Sequence, residues 1–203
     1  MKTLWRWTLP AVSLAVVIAL GGCAEKRVSR VETGKEVDLS GKWNDTDSQM
    51  VSKDMITDAM SYPWADKFSK QHAGKNPVVI VYGVKNRSSE IINTQTFMRD
   101  LEHAFIRSGR VDVVASPEER TEIRGERAEQ QQGFTANPAA IGKELGADFV
   151  LTGVLNSIED RLGNQEVRYY QTNLQLISVE TNLKVWDGEN KIKKEINRSS
   201  TKF

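Results

Sequence analysis

The sequence has few of the residues that build thiol or metal chemistry. Its 203 residues include one cysteine and two histidines. A single cysteine excludes an internal disulfide and any multi-cysteine zinc or iron–sulfur site. His72 and His103 do not show the spacing by which two histidines on one helix bind a metal. The sequence therefore predicts no metal ion and no other cofactor.

An excess of charge of either sign is also missing. There are 28 Lys and Arg residues against 27 Asp and Glu residues, a formal net charge of +1. Non-specific nucleic-acid binding usually needs a broad basic surface, so no nucleic-acid partner is expected. With 39% hydrophobic and 27% charged residues, the composition is that of a globular protein.

The N-terminal hydrophobic run is short. Residues 9–20 form an apolar stretch of 12 residues after Lys2 and Arg6. A bilayer span needs about 20 apolar residues, whereas a basic start followed by a short apolar stretch is typical of a secretory signal peptide. We therefore expect residues 1–22 to be removed as a signal peptide.

The end of this run resembles a bacterial lipobox. Leu20-Gly21-Gly22-Cys23 follows the apolar stretch directly, and the resemblance implies cleavage before Cys23 and lipidation of its thiol. Ala24 follows the cysteine in place of Asp, which by similarity to Gram-negative sorting rules favours the outer membrane. The alternative is an ordinary signal peptide whose cysteine follows two glycines by chance.

The rest of the chain divides into a tether and one domain. Residues 23–38 contain the candidate lipidated cysteine and a charged stretch without aromatic residues, which we interpret as a short flexible tether. The fifteen residues 24–38 span at most about 50 Å when fully extended. Residues 39–203 are expected to form a single globular periplasmic domain. Without residues 1–22 the chain has 26 basic and 27 acidic residues, a net charge of −1.

Hydrophobic periodicity predicts a small α/β (α+β) domain. The predicted order is α, α, β, α, β, α, α, β, β, β, with a mixed sheet of about four to five strands flanked by helices and a C-terminal β-hairpin. Four signals carry most of this prediction: a capping box at Thr46–Gln49, a β-branched run at Val78–Tyr82, a stripe of Phe97, Leu101 and Phe105, and alternation through Tyr170, Thr172, Leu174 and Leu176. A further short helix is predicted from Asn137 to Gly146.

No catalytic set is evident in the sequence. Phosphate-binding loops and the Gly-x-Ser-x-Gly nucleophile motif are missing. A pair of carboxylates suited to glycan hydrolysis stays possible, but the acids cluster on one predicted helix, which is typical of a solvated face. We therefore expect a protein that is not an enzyme and has no small-molecule substrate.

That helix, residues 117–132, carries two faces of opposite charge. On a helical wheel Glu118, Glu119, Glu122, Glu126 and Glu129 fall in one arc, and Arg120, Arg124 and Arg127 fall on the other side. Like charges four residues apart destabilise a helix slightly. We interpret the arginine side, together with Ile123, as a candidate partner-binding surface; the alternative is an ordinary solvated helix.

The sequence resembles the LpoB family, lipoproteins that activate class A penicillin-binding proteins. The resemblance covers about residues 39–196 and depends on four stretches: Val78–Glu90, Glu118–Arg127, Lys143–Asp148 with Leu151-Thr-Gly153, and Tyr169-Tyr170 through Leu174-Gln-Leu176 to Trp186. It implies a lipid-anchored outer-membrane protein that faces the periplasm, binds a docking module of a bifunctional peptidoglycan synthase and stimulates it by contact.

Two other functions stay open at this point. The stretch Gly146–Gly153 also resembles the periplasmic domain of curli-type channel lipoproteins and the N-terminal domain of TolB, which would indicate an envelope scaffold or secretion-accessory protein. A ring-shaped oligomer would favour that alternative. A wall hydrolase is the third possibility, and it would require one essential carboxylate.

Overall fold

The computed structural model describes residues 29–32, 35–139 and 144–198. The chain divides into an N-terminal unit that ends at Thr33 and a second unit, Gly34–Phe203, that carries the fold. The helices and strands described all lie in this second unit. The predicted signal peptide, Cys23 and Ala24 lie outside the described residues.

Among the described residues, four α-helices and five strands make up the fold, in the predicted order except for the second of the two helices predicted between β2 and β3. The elements are α1 (Asp45–Ser61), α2 (Trp64–Gln71), β1 (Val78–Arg87), α3 (Thr94–Ser108), β2 (Asp112–Val113), α4 (Pro117–Glu129), β3 (Phe149–Leu162), β4 (Gln165–Ser178) and β5 (Lys184–Asn197). The predicted α+β class is confirmed.

The short helix predicted from Asn137 to Gly146 differs in the structure. A π-helical turn, Gln130–Phe134, follows α4 directly, and Gly133 leaves it with a φ of 87°. Residues 137–139 and 144–146 are neither helix nor strand, and the residues between them lie outside the described part of the chain. Gln130 and Gln131 hydrogen-bond to the backbone of Ala139, so the chain folds back beside the end of α4 instead of beginning a new helix there.

Helix α1 begins two residues earlier than the capping box at Thr46 predicts. The Asn44 side chain accepts a hydrogen bond from the Asp47 amide at 3.0 Å, and the Asp47 carboxylate accepts one from the Asn44 amide at 2.9 Å. The predicted box was therefore wrong in position, although a capping box is present. Asn is a strong N-cap residue, and this start places Asp47 on the buried side of the helix.

The sheet is mixed and has the strand order β2-β1-β3-β4-β5. Strand β1 runs parallel to β2 and β3, while β3, β4 and β5 form an antiparallel meander that ends in the predicted hairpin. The β-branched run Val78–Tyr82 predicts a central strand buried on both faces; Val78–Val81 is buried, whereas Tyr82 is 65% exposed, so the prediction was wrong at that residue. Beyond Tyr82, however, β1 continues to Arg87 with mostly exposed side chains, because backbone pairing with β3 extends it.

The hydrophobic core lies between the sheet and helices α1, α2 and α3. The predicted stripe on α3 is confirmed: Phe97, Leu101 and Phe105 are at most 1% exposed. The predicted alternation along β4 is confirmed as well, since its inward row of Tyr170, Thr172, Leu174 and Leu176 is buried. Trp43 packs edge-on against Phe97 and Tyr170 and so connects the segment before α1 to this core.

A chain of buried ionic groups continues the core at one end of the sheet. Arg168 binds Glu166 through its Nε at 2.6 Å and Glu90 through its Nη1 at 2.5 Å. The Tyr170 hydroxyl donates to the same Glu90 at 2.6 Å, and burial followed by this hydrogen bond raises the pKa of Tyr170. Every buried side-chain polar atom among the described residues has a hydrogen-bond partner. The ionic groups are therefore structural parts of the fold.

Candidate functional site

The start of α4 is fixed by a cap and by an ion pair to α3. Ser116 and Glu119 form a capping box, with Pro117 in the first turn. Arg99 on α3 contacts Glu119 at 2.7 Å and its own neighbour Glu102 at 2.9 Å. The hydrogen bond from the Ser116 amide, and then the one from Arg99, lower the pKa of Glu119. These contacts set the direction in which α4 leaves the sheet.

Along the rest of its length α4 is a surface helix. None of its residues is buried, and Ile123 is 45% exposed. Glu122, Glu126 and Glu129 are exposed to solvent, whereas Arg120 and Arg127 are half-buried. Arg124 is exposed as well. The two charged faces predicted from the helical wheel are therefore present, and each is at least partly accessible to solvent.

The three candidate arginines surround a single carboxylate. Arg124 binds Glu144 with two parallel hydrogen bonds, Nε–Oε1 at 2.9 Å and Nη2–Oε2 at 2.8 Å. Arg127 approaches the same group at 3.3 Å. The hydrogen bond from Arg124, with the charges of Arg127 and Arg120 nearby, lowers the pKa of Glu144. Arg120 itself donates from Nε to the Ala115 carbonyl at 2.9 Å.

This arrangement presents positive charge at the surface of the domain. Three guanidinium groups and one carboxylate leave a surplus of two positive charges on this face, counted over the described residues. An arginine guanidinium binds carboxylates well, and because Glu144 already occupies Arg124 with two hydrogen bonds, a carboxylate of another protein would have to share or displace it. Ile123 lies within the same turn and adds an exposed apolar side chain to the surface.

A cleft beside α2 is the other concave feature of interest. It has a volume of about 610 Å³ and is lined by Trp64, Phe68, His72, Asp148 and Val185, among others. His72 stacks on Phe68 with ring centroids 3.9 Å apart, and the Asp148 carboxylate accepts the Val78 amide. The Asp148 carboxylate in this cleft thus holds the start of β1 in place. Among the described residues, no cluster of three or more His, Cys, Asp or Glu side chains could hold a metal ion.

Two features of this surface were missed in the sequence. Glu144 lies 20 residues from Arg124 across a loop, and no local pattern links the two. The ionic chain of Glu90, Glu166 and Arg168 was also missed. Part of it could have been detected, because every second residue of β4 points to the same face. Glu166 and Arg168 alternate in step with the buried Tyr170 and therefore lie on the buried face of the strand.

Several solved structures align with this chain. The LpoB C-terminal domain from Salmonella enterica is 16% identical, covering 72% of this chain and 98% of that chain with a TM-score of 0.41. The NMR structure of E. coli LpoB is 14% identical, covering 98% and 96% of the two chains with a TM-score of 0.41. Lipoprotein GNA1162 from Neisseria meningitidis is 16% identical, covering 63% and 88% with a TM-score of 0.37. No individually curated protein matches the sequence.

The family assignment depends on the sequence itself. Within the described part of the chain, no helix has the length and apolar composition to cross a membrane. The family model described as peptidoglycan-synthase activator LpoB matches residues 47–192, from the first turn of α1 into the second half of β5. This match spans well over half of the sequence and nearly all of the described fold. The chain therefore belongs to the LpoB family of peptidoglycan-synthase activators.

Proposed function

We propose that this protein is an outer-membrane lipoprotein that binds a class A penicillin-binding protein in the periplasm and stimulates its synthesis of peptidoglycan. The observation that carries the proposal is the family match over residues 47–192. The match includes the α4 surface and the sheet together, so it concerns the whole folded unit. Activation would occur by contact, because binding to one conformation of the synthase shifts its population toward that conformation.

The sequence before the fold supports the anchoring part of this proposal. Residues 1–22 would be cleaved as a signal peptide and Cys23 would carry the lipid, including palmitate as an acyl chain. Several acyl chains on one residue meet the requirement that stable membrane anchoring uses more than one chain. Residues 24–38 would then act as the tether. Asp38 already contacts the folded unit, since its carboxylate accepts a hydrogen bond from Lys194 at 3.0 Å.

The α4 surface is the proposed contact with the synthase. Arg120, Arg124 and Arg127 offer a surplus of positive charge on a helix that the fold does not need for its core. Ile123 supplies an apolar anchor next to them. Charged surfaces of this kind steer a partner of opposite charge and give fast, salt-sensitive association. The proposal therefore includes an acidic docking surface on the synthase.

The decisive experiment is a reconstituted polymerisation assay. The chain from Ala24 onward, which includes the whole folded unit, would be added to the class A penicillin-binding protein of the same organism, and lipid II polymerisation followed. We expect a saturable acceleration that heat-unfolded protein does not produce. A folded protein that neither binds nor accelerates the synthase would contradict the proposal and favour the envelope-scaffold alternative.

The anchor is tested separately. Mass spectrometry of the protein from its own membranes should find an N-terminal Cys23 that carries acyl chains. A Cys23→Ser variant should leave the membrane fraction, while its folded unit keeps the activity in the polymerisation assay. An intact N-terminus at Met1, or an unmodified Cys23, would overturn the anchoring proposal without affecting the activation proposal.

A further inference from the structure

The two edges of the sheet differ greatly in length. Strand β2 closes one edge with only two residues, whereas β5 forms the other edge with 14 residues. Within the described part of the chain, the β5 backbone pairs with β4 and receives no hydrogen bond from any other segment. An edge of this kind presents a row of unpaired N–H and C=O groups to another strand.

The middle of β5 is the regular part of this edge. At one end, the pairing with β4 shifts register between Leu176 and Ile177, opposite the start of β5. At the other end, the Lys194 ammonium is directed to the inner face and binds Asp47 and the Lys42 carbonyl. A register shift and an inward-pointing charge both hinder edge pairing. Residues 187–193 lie between these two features.

The outward side chains of this segment have an ordered pattern of charge. Asp187, Glu189, Lys191 and Lys193 alternate along the strand, so they lie on one face of the sheet, and all four are exposed. Asp187 and Lys193 each lie three residues from Asn190, on opposite sides, and Glu189 and Lys191 each lie one residue from it. An antiparallel copy of the strand therefore places every acid opposite a base.

We propose that two copies of this chain associate through β5, antiparallel and centred on Asn190, so that their sheets become one. Asp187 then faces Lys193 of the second copy, and Glu189 faces Lys191. Two-fold symmetry repeats both pairs, which gives four cross-strand pairs of opposite charge. The register is specific, because a centre at Glu189 or at Lys191 would place that residue opposite its own copy.

The inner face of the same segment supports this register. Gly188 lies opposite Ile192 of the second copy, a small residue against a large one. Gly188 is buried beneath its own Trp186, where an added Cβ would lie 2.1 Å from the indole ring. Ile192 is half-buried at the rim of the core in the single chain. Pairing would cover its exposed part.

In the single chain these charges have only weak partners. Lys191 pairs with Glu189 along its own strand, and Glu189 also accepts a hydrogen bond from Gln171 at 2.8 Å. Exposed pairs of this kind contribute little free energy, so their replacement by pairs across the interface costs little. A competing interpretation is that the charges only protect the edge from aggregation. Under that interpretation the order of the signs along β5 would not matter.

Charge reversal distinguishes the two interpretations. The chain from Ala24 onward would be studied by sedimentation equilibrium from micromolar to millimolar concentration. We expect a reversible dimer for the unchanged sequence. Asp187→Lys with Glu189→Lys, and separately Lys191→Glu with Lys193→Glu, should each weaken dimerisation by more than about tenfold, since each places like charges opposite one another.

Two rescue measurements complete the test. The two double variants, mixed in equal amounts, should form a heterodimer, because one β5 is then acidic throughout residues 187–193 and the other basic. The variant with all four reversals should dimerise like the unchanged chain. Circular dichroism checks that each variant folds, and hydrogen exchange of the β5 amides should slow as the concentration of the unchanged chain rises.

Three results would overturn the proposal. The first is an unchanged chain that is monomeric throughout this range. The second is a pair of double variants that dimerise as well as the unchanged sequence, and the third is a mixture that forms no heterodimer. The last two are informative even when dimerisation is weak, because each double variant alone brings like charges together and the mixture brings opposite charges together.

Discussion

Lys194 and Asp47, which are 147 residues apart in the sequence, form a buried ion pair with an Nζ–Oδ2 distance of 2.6 Å. Their side chains are 8% and 6% exposed. The same Asp47 carboxylate caps the start of α1, and the same ammonium group binds Asp38 and the Lys42 carbonyl. Lys194 on β5 thus binds both α1 and the segment that precedes α1.

Removal of Lys194 should therefore destabilise the domain strongly. Lys194→Ala leaves Asp47 buried without its partner, and we expect the free energy of unfolding to fall by about 3–5 kcal/mol in urea denaturation. Lys184→Ala, on the exposed start of the same strand, is the matched control and should change it by less than about 0.5 kcal/mol. Equal effects of the two substitutions would show that the buried pair has no special role.

The α3 stripe offers a second stability test with an adjacent control. Phe105 is fully buried, whereas Ile106, the next residue, is 58% exposed. Phe105→Ala should lower the free energy of unfolding by about 3–5 kcal/mol, because it removes buried apolar surface and leaves a cavity. Ile106→Ala should cost less than about 1 kcal/mol. A larger loss at Ile106 would mean that the orientation of α3 is wrong.

Leu101→Ala, in the same buried stripe, should cost about 2–5 kcal/mol, and Phe97→Ala about as much as Phe105→Ala. Thermal or urea unfolding of the three variants checks whether the whole stripe contributes to one core.

Glu166 gives an expected dependence on pH. The hydrogen bond from Arg168, with the charges of Arg168 and Arg161, lowers the pKa of Glu166 below its ordinary value of 4.5. The unfolded chain therefore takes up a proton at a higher pH than the folded chain does. The contribution of Glu166 to stability is complete above pH 4.5 and is lost as the pH falls toward the folded-state pKa.

The measurement is the free energy of unfolding between neutral pH and the acid limb. In Glu166→Gln the decrease between pH 4.5 and lower values should be shallower, because this carboxylate no longer takes up a proton on unfolding. The free energy of unfolding at neutral pH is not the test, because the substitution of the carboxylate by an amide also weakens the contact with Arg168. An acid limb as steep as that of the unchanged chain would contradict the assignment.

The α4 surface yields the prediction that concerns the partner. Reversal of Arg120, Arg124 and Arg127 to Glu should weaken binding to the synthase at least about tenfold, as expected for loss of a complementary charged surface. The domain should stay folded, because α4 buries none of its residues. Binding is measured by titration of the synthase at two salt concentrations.

The matched control reverses the other face of the same helix. Glu122, Glu126 and Glu129 are exposed, and their reversal to Arg changes the same number of charges. This control should leave binding intact or strengthen it. Unchanged affinity in the arginine triple variant would remove α4 from the contact surface.

Periodic hydrophobic patterns predicted most of the fold because they report burial directly. The alternation from Tyr170 to Leu176 and the spacing of Phe97, Leu101 and Phe105 each follow the geometry of one element. The start of α1 could not be placed equally well, because Asn44 and Thr46 are both plausible N-cap residues. The N-cap at Asn44 is favoured by the ion pair of Asp47 with Lys194, which lies near the other end of the chain.

The candidate surface was only half predictable for a related reason. The two charged faces of α4 follow from its own sequence, and the structure contains both. The pairing of Arg124 with Glu144 joins residues that are 20 positions apart in the sequence, and no periodic pattern encodes a contact over that separation. In the same way, the burial of Arg168 depends on its ion pair with Glu90, which lies 78 residues earlier and cannot be identified from the local sequence.

The position of β1 has a consequence for the order of events during synthesis. Its long neighbour β3 is separated from it by about 70 residues, as the contact between the Val78 amide and Asp148 illustrates. Strands β3, β4 and β5, by contrast, follow one another directly and pair with their sequence neighbours. Val78–Val81 therefore has no main strand partner until β3 has been made. Once the last third of the chain is available, we expect the local β3–β4–β5 meander to form before β1 pairs with it. A chain that crosses a membrane unfolded, N-terminus first, would thus complete its sheet only after nearly all of it has arrived.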